Sequence, residues 1–146
     1  MMYWDTSALI KLFVEEPGTA QVTALFDRDP DVVISKMGFA EAHCALARRW
    51  REKSLRKRDY QLTVKRWNVL WKNYLVVELS DEVVYECERL VKEYPLRALD
   101  AIHLSSAIFF KKNTGLNLSF VCADLKLLDV AEAEGLGIIH PLEKPL

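Results

Sequence analysis

The chain has 146 residues, one ordinary domain's length and enough to bury a single core. Half of it is apolar and 28% is charged, the profile of a soluble globular protein, and a formal net charge of -1 gives no overall pull toward nucleic acid. Cys44, Cys87 and Cys122 are scattered without a C-x-x-C pair, which argues against a disulfide framework and a structural zinc site and favours a reducing, cytoplasmic setting. No apolar run reaches the roughly 18 residues of a membrane span. The opening Met1-Met2-Tyr3-Trp4-Asp5 lacks a basic segment and does not read as a signal peptide.

Met2 to Trp4 is a short apolar run closed by Asp5, a predicted buried first strand. Ser7 to Val14 has helical spacing, with Leu9, Ile10, Phe13 and Val14 on one face, and Glu15-Glu16-Pro17-Gly18 breaks it. A second helix is predicted from about Thr19 to Asp27. The β-branched run Val32-Val33-Ile34 is a second strand. Met37 to about Lys53 is helical, a polar break covers Ser54 to Arg56, and another helix runs from about Lys57 to Asn73. Leu75 to Leu79 is a third strand, and Ser80 or Asp81 caps a helix reaching about Glu93. After Pro95 a helix from about Leu96 to Lys112 ends at Asn113-Thr114-Gly115. Leu118 to Cys122 is a fourth strand, Leu125 to Glu134 a last helix, and Leu136 to Ile139 a final short strand. This alternation predicts an α/β fold with a mostly parallel sheet covered on both faces.

Two acids directly follow predicted strands, Asp5 the first and Asp124 the fourth. Ligands of open parallel sheets bind outside the carboxyl ends of the strands, so both can face one crevice. Each is equally well placed as a helix N-cap, its carboxylate accepting backbone N–H bonds. Glu41 and Asp100 are harder to assign to a structural task. Glu41 shares a helical face with Met37, Ala40, Cys44 and Ala45, and Asp100 shares one with Leu96, Leu104 and Ala107. A carboxylate in an apolar stripe needs a partner. Arg97 and His103, at i−3 and i+3, are structural candidates for Asp100; the nearest cation on the Glu41 face is Arg48. Several carboxylates on one crevice repel unless a cation lies between them, and a hard divalent ion such as Mg²⁺ or Mn²⁺ suits an all-oxygen donor set. That chemistry fits phosphodiester hydrolysis by a metal-activated water and needs no histidine base. His43, His103 and His140 are scattered and read as structural, although His103 is one turn from Asp100 and has a possible supporting role behind the acids.

Four segments resemble one family. These are Tyr3-Trp4-Asp5-Thr6-Ser7-Ala8-Leu9, then Ala40-Glu41 early in the third helix, then Arg97-Ala98-Leu99-Asp100-Ala101-Ile102-His103-Leu104, and last Cys122-Ala123-Asp124 followed by a helix and Glu134-Gly135-Leu136. In order and spacing they resemble a PIN-domain ribonuclease, specifically a VapC-type toxin of a type II toxin–antitoxin pair. The resemblance implies a single PIN-like domain over residues 1–146, three α/β/α layers around a mostly parallel sheet of four to five strands. It implies an endoribonuclease with a catalytic and metal site at Asp5, Glu41, Asp100 and Asp124, dependent on Mg²⁺ or Mn²⁺. It further implies a homodimer and a cognate VapB-like antitoxin that inhibits the active site. In the family, residues at the positions of Thr6 and Ser7 bring a hydroxyl to the metal-bound water or the first acid; Ser7 is also a plausible cap. The family often carries Thr or Ser two residues before the fourth acid, where this chain has Cys122, and Trp4 is bulky for its strand position and is expected to be buried.

Residues 48–72 hold ten basic residues opposed only by Glu52 and Asp59. Such a segment suits phosphate binding, and a solvated helical hairpin would look the same. Trp67 and Trp71, at i and i+4, read as core, with a groove for an antitoxin helix as the alternative. Two other functions fit parts of the pattern. A Mg²⁺-dependent phosphatase would use Asp5 as nucleophile, but the second Asp such enzymes carry two residues on is Ser7 here. A non-enzymatic binding module would leave the intact acids without a task.

Overall fold

The computed structural model describes residues 1–142. Five strands form one sheet: β1 (Met2–Trp4), β2 (Val32–Ser35), β3 (Leu75–Val77), β4 (Ser119–Val121) and β5 (Gly137–Ile139), in the order β3-β2-β1-β4-β5. Every pair is parallel, so the sheet is parallel throughout. Among the described residues seven α-helices connect the strands: α1 (Thr6–Leu9), α2 (Thr19–Arg28), α3 (Met37–Arg51), α4 (Lys57–Trp71), α5 (Asp81–Glu93), α6 (Ala98–Thr114) and α7 (Leu125–Ala133).

The strands are short apolar runs because both faces of the sheet are covered. Successive side chains point to opposite faces, and the two cores follow that alternation. Met2, Trp4, Val32, Ile34 and Val121 pack with α1–α4, whereas Tyr3, Val33, Val77 and Phe120 pack with α5, α6 and α7. The result is three layers, helix on sheet on helix. In the register Tyr3 stands opposite Phe120, and their rings stack with centroids 5.3 Å apart.

Several element ends differ from the sequence expectation by one or two residues, and the first helix differs most. The first helix is only one α turn, continued by a 3₁₀ turn at Ile10–Leu12. Its short length turns the chain sharply after β1, toward Pro17 and the left-handed Gly18. α6 starts at Ala98 rather than Leu96, since Pro95 and the extended Arg97 delay it, and it ends at Gly115 in the left-handed conformation that glycine adopts without strain. Trp4 and Trp67 are fully buried, as their patterns predict, and Trp71 is half-buried beside Trp67 and Tyr74. No helix among the described residues is long and apolar enough to cross a membrane.

Candidate active site

The strand order reverses between β1 and β4. The chain leaves β1 toward β2 and β3, then returns to β1's other side as β4. That reversal opens a crevice at the carboxyl ends of β1 and β4, where doubly wound sheets bind ligands. Asp5 follows β1 and Asp124 lies just beyond β4. Glu41 comes in from α3 and Asp100 from the first turn of α6. All four acids line one cleft of 570 Å³, together with Ser7 and Arg97. Four elements distant in sequence thus deliver carboxylates to a single place.

The two strand-end acids part company over helix capping. Asp124 caps α7: its Oδ1 accepts from Lys126 N at 2.9 Å and Leu127 N at 3.4 Å. Asp5 occupies the equivalent position before α1 but makes no side-chain capping bond. Instead the Ser7 hydroxyl donates to its Oδ2, the Cys122 thiol donates to the same oxygen at 3.5 Å, and His103 Nε2 lies 3.6 Å from Oδ1. The carboxylate is 8% exposed and turned into the cleft rather than along the helix.

Glu41 has a partner that the sequence pattern assigned elsewhere. His103 Nε2 is 2.6 Å from Glu41 Oε1, and Thr6 Oγ1 donates to the same oxygen at 3.0 Å. Behind the ring, Ser35 N–H donates to the Tyr3 hydroxyl oxygen at 3.1 Å, and that hydroxyl is 2.7 Å from His103 Nδ1. With Ser35 already donating to the oxygen, the Tyr3 hydrogen points to Nδ1 in the neutral ring, so Nε2–H is left to donate to Glu41. Burial opposes charge on His103, but the Glu41 hydrogen bond and the charges of Asp5, Glu41 and Asp100 outweigh it and raise its pKa. Burial, reinforced by the Asp5 charge, pushes the Cys122 thiol well up, so it stays protonated beside the acids. Asp100 pairs with Arg97, one of its two structural candidates, with Nε 3.3 Å from Oδ2; that arginine is 85% exposed and neutralises Asp100 only weakly.

The donor set is all hard oxygen, which fits Mg²⁺ or Mn²⁺ better than a soft ion. Among the described residues no three acidic, histidine or cysteine side chains are already grouped to close on one ion. The carboxylates share the cleft without forming a finished cage.

A family model for the PIN domain matches residues 2–133. The chain belongs to the PIN-domain family. Within it, Ribonuclease VapC45 of Mycobacterium tuberculosis (strain CDC 1551 / Oshkosh) is 31% identical over 108 residues, 74% of this chain and 75% of that protein. Ribonuclease VapC47 of the same strain is 29% identical over 97% of both chains. The structure of a toxin–antitoxin complex from Klebsiella pneumoniae contains a chain of the same fold, with a TM-score of 0.70 at 19% identity, covering 99% of this chain and 100% of that one. These likenesses identify a VapC-type PIN domain and agree with the parallel five-stranded sheet.

The sequence pattern missed Tyr3 and misplaced His103. Tyr3 is two residues before Asp5 in an alternating strand, so both side chains lie on the same side of the sheet, a signal visible in the sequence. The bond from His103 to Glu41 spans 62 positions and left no such trace.

Proposed function

We propose that this PIN domain is an endoribonuclease that hydrolyses RNA phosphodiester bonds at the cleft of Asp5, Glu41, Asp100 and Asp124. One observation carries the reading. Four carboxylates from four elements meet at the sheet's switch point, and Asp5 is not engaged in capping its helix. The ribonuclease names of the M. tuberculosis relatives support RNA as the substrate class. PIN-domain ribonucleases are generally divalent-metal dependent, and the oxygen donors of the cleft suit Mg²⁺ or Mn²⁺. A bound ion there supplies Lewis acidity toward a phosphodiester and lowers the pKa of a water.

In this reading the four acids hold the ion, and the surrounding residues orient them. Ser7 and Cys122 fix the rotamer of Asp5. Thr6 and His103 hold Oε1 of Glu41, leaving its second oxygen for the cleft. Arg97 stands at the mouth, 85% exposed, where it can meet an incoming phosphate. Asp124 keeps its helix-capping bonds through Oδ1 and offers Oδ2 to the ion.

We also propose that the protein acts in the cytoplasm as the toxin of a pair, as a homodimer inhibited by a VapB-like antitoxin covering the cleft. The resemblance supports this reading, and the toxin–antitoxin complex from K. pneumoniae supports an antitoxin as partner. Trp67, fully buried, is core rather than groove wall. A surface groove lined by Phe26, Leu62, Val69 and Leu70, edged by Lys65 and Arg66, shares no residue with the cleft and would seat an amphipathic helix of the antitoxin while another segment covers the acids. The decisive experiment incubates the protein with total RNA, with Mg²⁺ or Mn²⁺ and with EDTA, and maps the new ends. Discrete cuts that vanish with EDTA and in Asp100→Asn are expected. Wild-type cutting by Asp100→Asn would sink the assignment.

A further inference from the structure

At the far end of α3 from Glu41, the rings of Trp50 and Tyr60 stack almost parallel, with centroids 5.0 Å apart and 7° between planes. Trp50 remains 43% exposed with that face covered, so much of the indole stands in solvent. The hairpin does not need this ring in solvent to stay closed. Deeper along it, α3 and α4 are already joined by the buried Leu46 and Trp67, by His43 bonded to Asn68 at 2.8 Å, and by Phe39 against Trp71.

The stack is surrounded by charge of one sign. Residues 48–60 carry seven basic and two acidic side chains in a molecule of net charge -1. Two basic residues of the wider segment are committed to the fold: Arg49 pairs with Glu16, and Arg66 bonds Leu12 O and lies over the Phe13 ring. Arg48, Arg51, Arg56 and Lys57 are exposed and, among the described residues, in no ion pair. Seven residues along α3 bring Arg48 back to within roughly 20° of the Glu41 direction, about 10 Å farther along the axis. Arg48 therefore lies between the acid cleft and the hairpin tip.

An exposed aromatic face beside unpaired cations is what a single-stranded nucleic acid binds: bases stack on the ring and phosphates meet the charges. We propose that the tip of the α3–α4 hairpin is a docking site for single-stranded RNA, separate from the cutting cleft. A base stacks on Trp50, and Arg48, Arg51, Arg56 and Lys57 hold the flanking phosphates. The site grips RNA some nucleotides from the scissile bond, so it acts on long substrates and not on short ones. This rests on the ribonuclease reading above, and the experiment separates the two.

Binding of a fluorescein-labelled 12-nucleotide RNA is followed by anisotropy in the non-cutting Asp100→Asn protein between 50 and 200 mM salt. Trp50→Leu on that background is expected to bind roughly tenfold more weakly, the loss of one stacked base. Trp50→Phe, which keeps a ring to stack on, should restore most of the affinity. In proteins with Asp100 intact, Trp50→Leu should raise KM for the long RNA and leave cutting of a tetranucleotide unchanged. The pair Arg51→Gln/Arg56→Gln should lower the slope of log affinity against log salt by about 1.4, two contacts at about 0.7 each. That slope decides the matter if Trp50→Leu fails to fold. Wild-type affinity in Trp50→Leu, or an unchanged slope in the double variant, overturns the docking site and leaves cutting at the acids standing. Failure of the Asp100→Asn parent to bind any RNA, with no cutting by the wild type, overturns the ribonuclease reading itself. A polyglutamate peptide that needs Trp50 and Arg51 while RNA does not would assign the tip to an acidic protein partner and also overturn the proposal.

Discussion

Tyr3 and His103 stand behind the cleft, and their task is to fix Glu41. The chain from Ser35 N–H through Tyr3 and His103 to Glu41 consists of hydrogen bonds of 3.1, 2.7 and 2.6 Å, with its interior members buried. Partners of this kind commonly change metal affinity by tenfold or more when removed. Tyr3→Phe removes the middle link while keeping the ring that stacks on Phe120. It should weaken Mn²⁺ binding by about tenfold, read by paramagnetic titration. Unchanged affinity would show that His103 and Thr6 hold Glu41 without the Tyr3 link. A second residue carries the opposite cost. The hydroxyl of Tyr74 is buried with no hydrogen-bond partner among the described residues, and burial raises its pKa to about 12. An unsatisfied buried hydroxyl costs about 1–3 kcal/mol, so Tyr74→Phe should stabilise the protein by about 1 kcal/mol in urea unfolding. A loss of stability would mean that the hydroxyl has a partner after all.

The elements place the acids, and one glycine sets how closely two of them approach. A Cβ on Gly38 would lie 2.5 Å from Ile34 Cδ1 and 3.1 Å from Thr6 Oγ1, and Ile34 is fully buried and cannot retreat. Glycine thus lets the first turn of α3 sit against β2 and α1, bringing Glu41 to Thr6. Gly38→Ala should destabilise the fold by about 1–3 kcal/mol through overpacking, more than the helix propensity gained, at most about 1 kcal/mol. Denaturant midpoints test this, and a midpoint at or above wild type would contradict it. The capping role of Asp124 can be separated from the metal role proposed for it. Asp124→Ala should cost about 1 kcal/mol of stability, whereas Asp124→Asn, a good cap without the charge, should cost little and still lose activity. Equal stability losses in the two would mean that charge, not capping, is what α7 needs.

The same elements show how much the sequence reveals. Strands and long helices were legible because burial leaves a pattern, short unbroken apolar runs for β1 and β2, which are covered on both faces, and a period near 3.6 for α3 and α6. The shared cleft of the four acids was legible from charges at strand ends and within apolar stripes. The first helix was overextended because Leu9, Ile10, Phe13 and Val14 keep helical spacing, and periodicity does not distinguish a 3₁₀ turn that ends it. His103 was read toward Asp100 because i and i+3 are neighbours on a helix. The fold sends its ring across to α3 instead, a contact that only tertiary packing creates.

Over the whole molecule charge is uneven: four acids line the cleft, and residues 48–60 carry seven basic side chains. If the cleft acids hold an ion, as proposed, the ion-free protein carries their mutual repulsion. Carboxylates sharing a cleft repel one another, Arg97 is too exposed to offset much of that, and His103 serves chiefly Glu41 and Asp5. Removing one charge should therefore stabilise the metal-free protein while removing the reason to bind metal. Asp5→Asn is the cleanest case, since Asn still accepts from Ser7. With EDTA, Asp5→Asn should melt at or above the wild type. With Mn²⁺ at about 100 times its Kd, the wild type should gain about 2.7 kcal/mol, roughly 5–10 °C for a domain of this size. Asp5→Asn should gain almost none of it. Thermal melts of both proteins in both buffers settle the point: an equal gain in the two would place the ion away from Asp5, and a lower melting point of Asp5→Asn in EDTA would mean that the acids are held by their hydrogen bonds more than they repel.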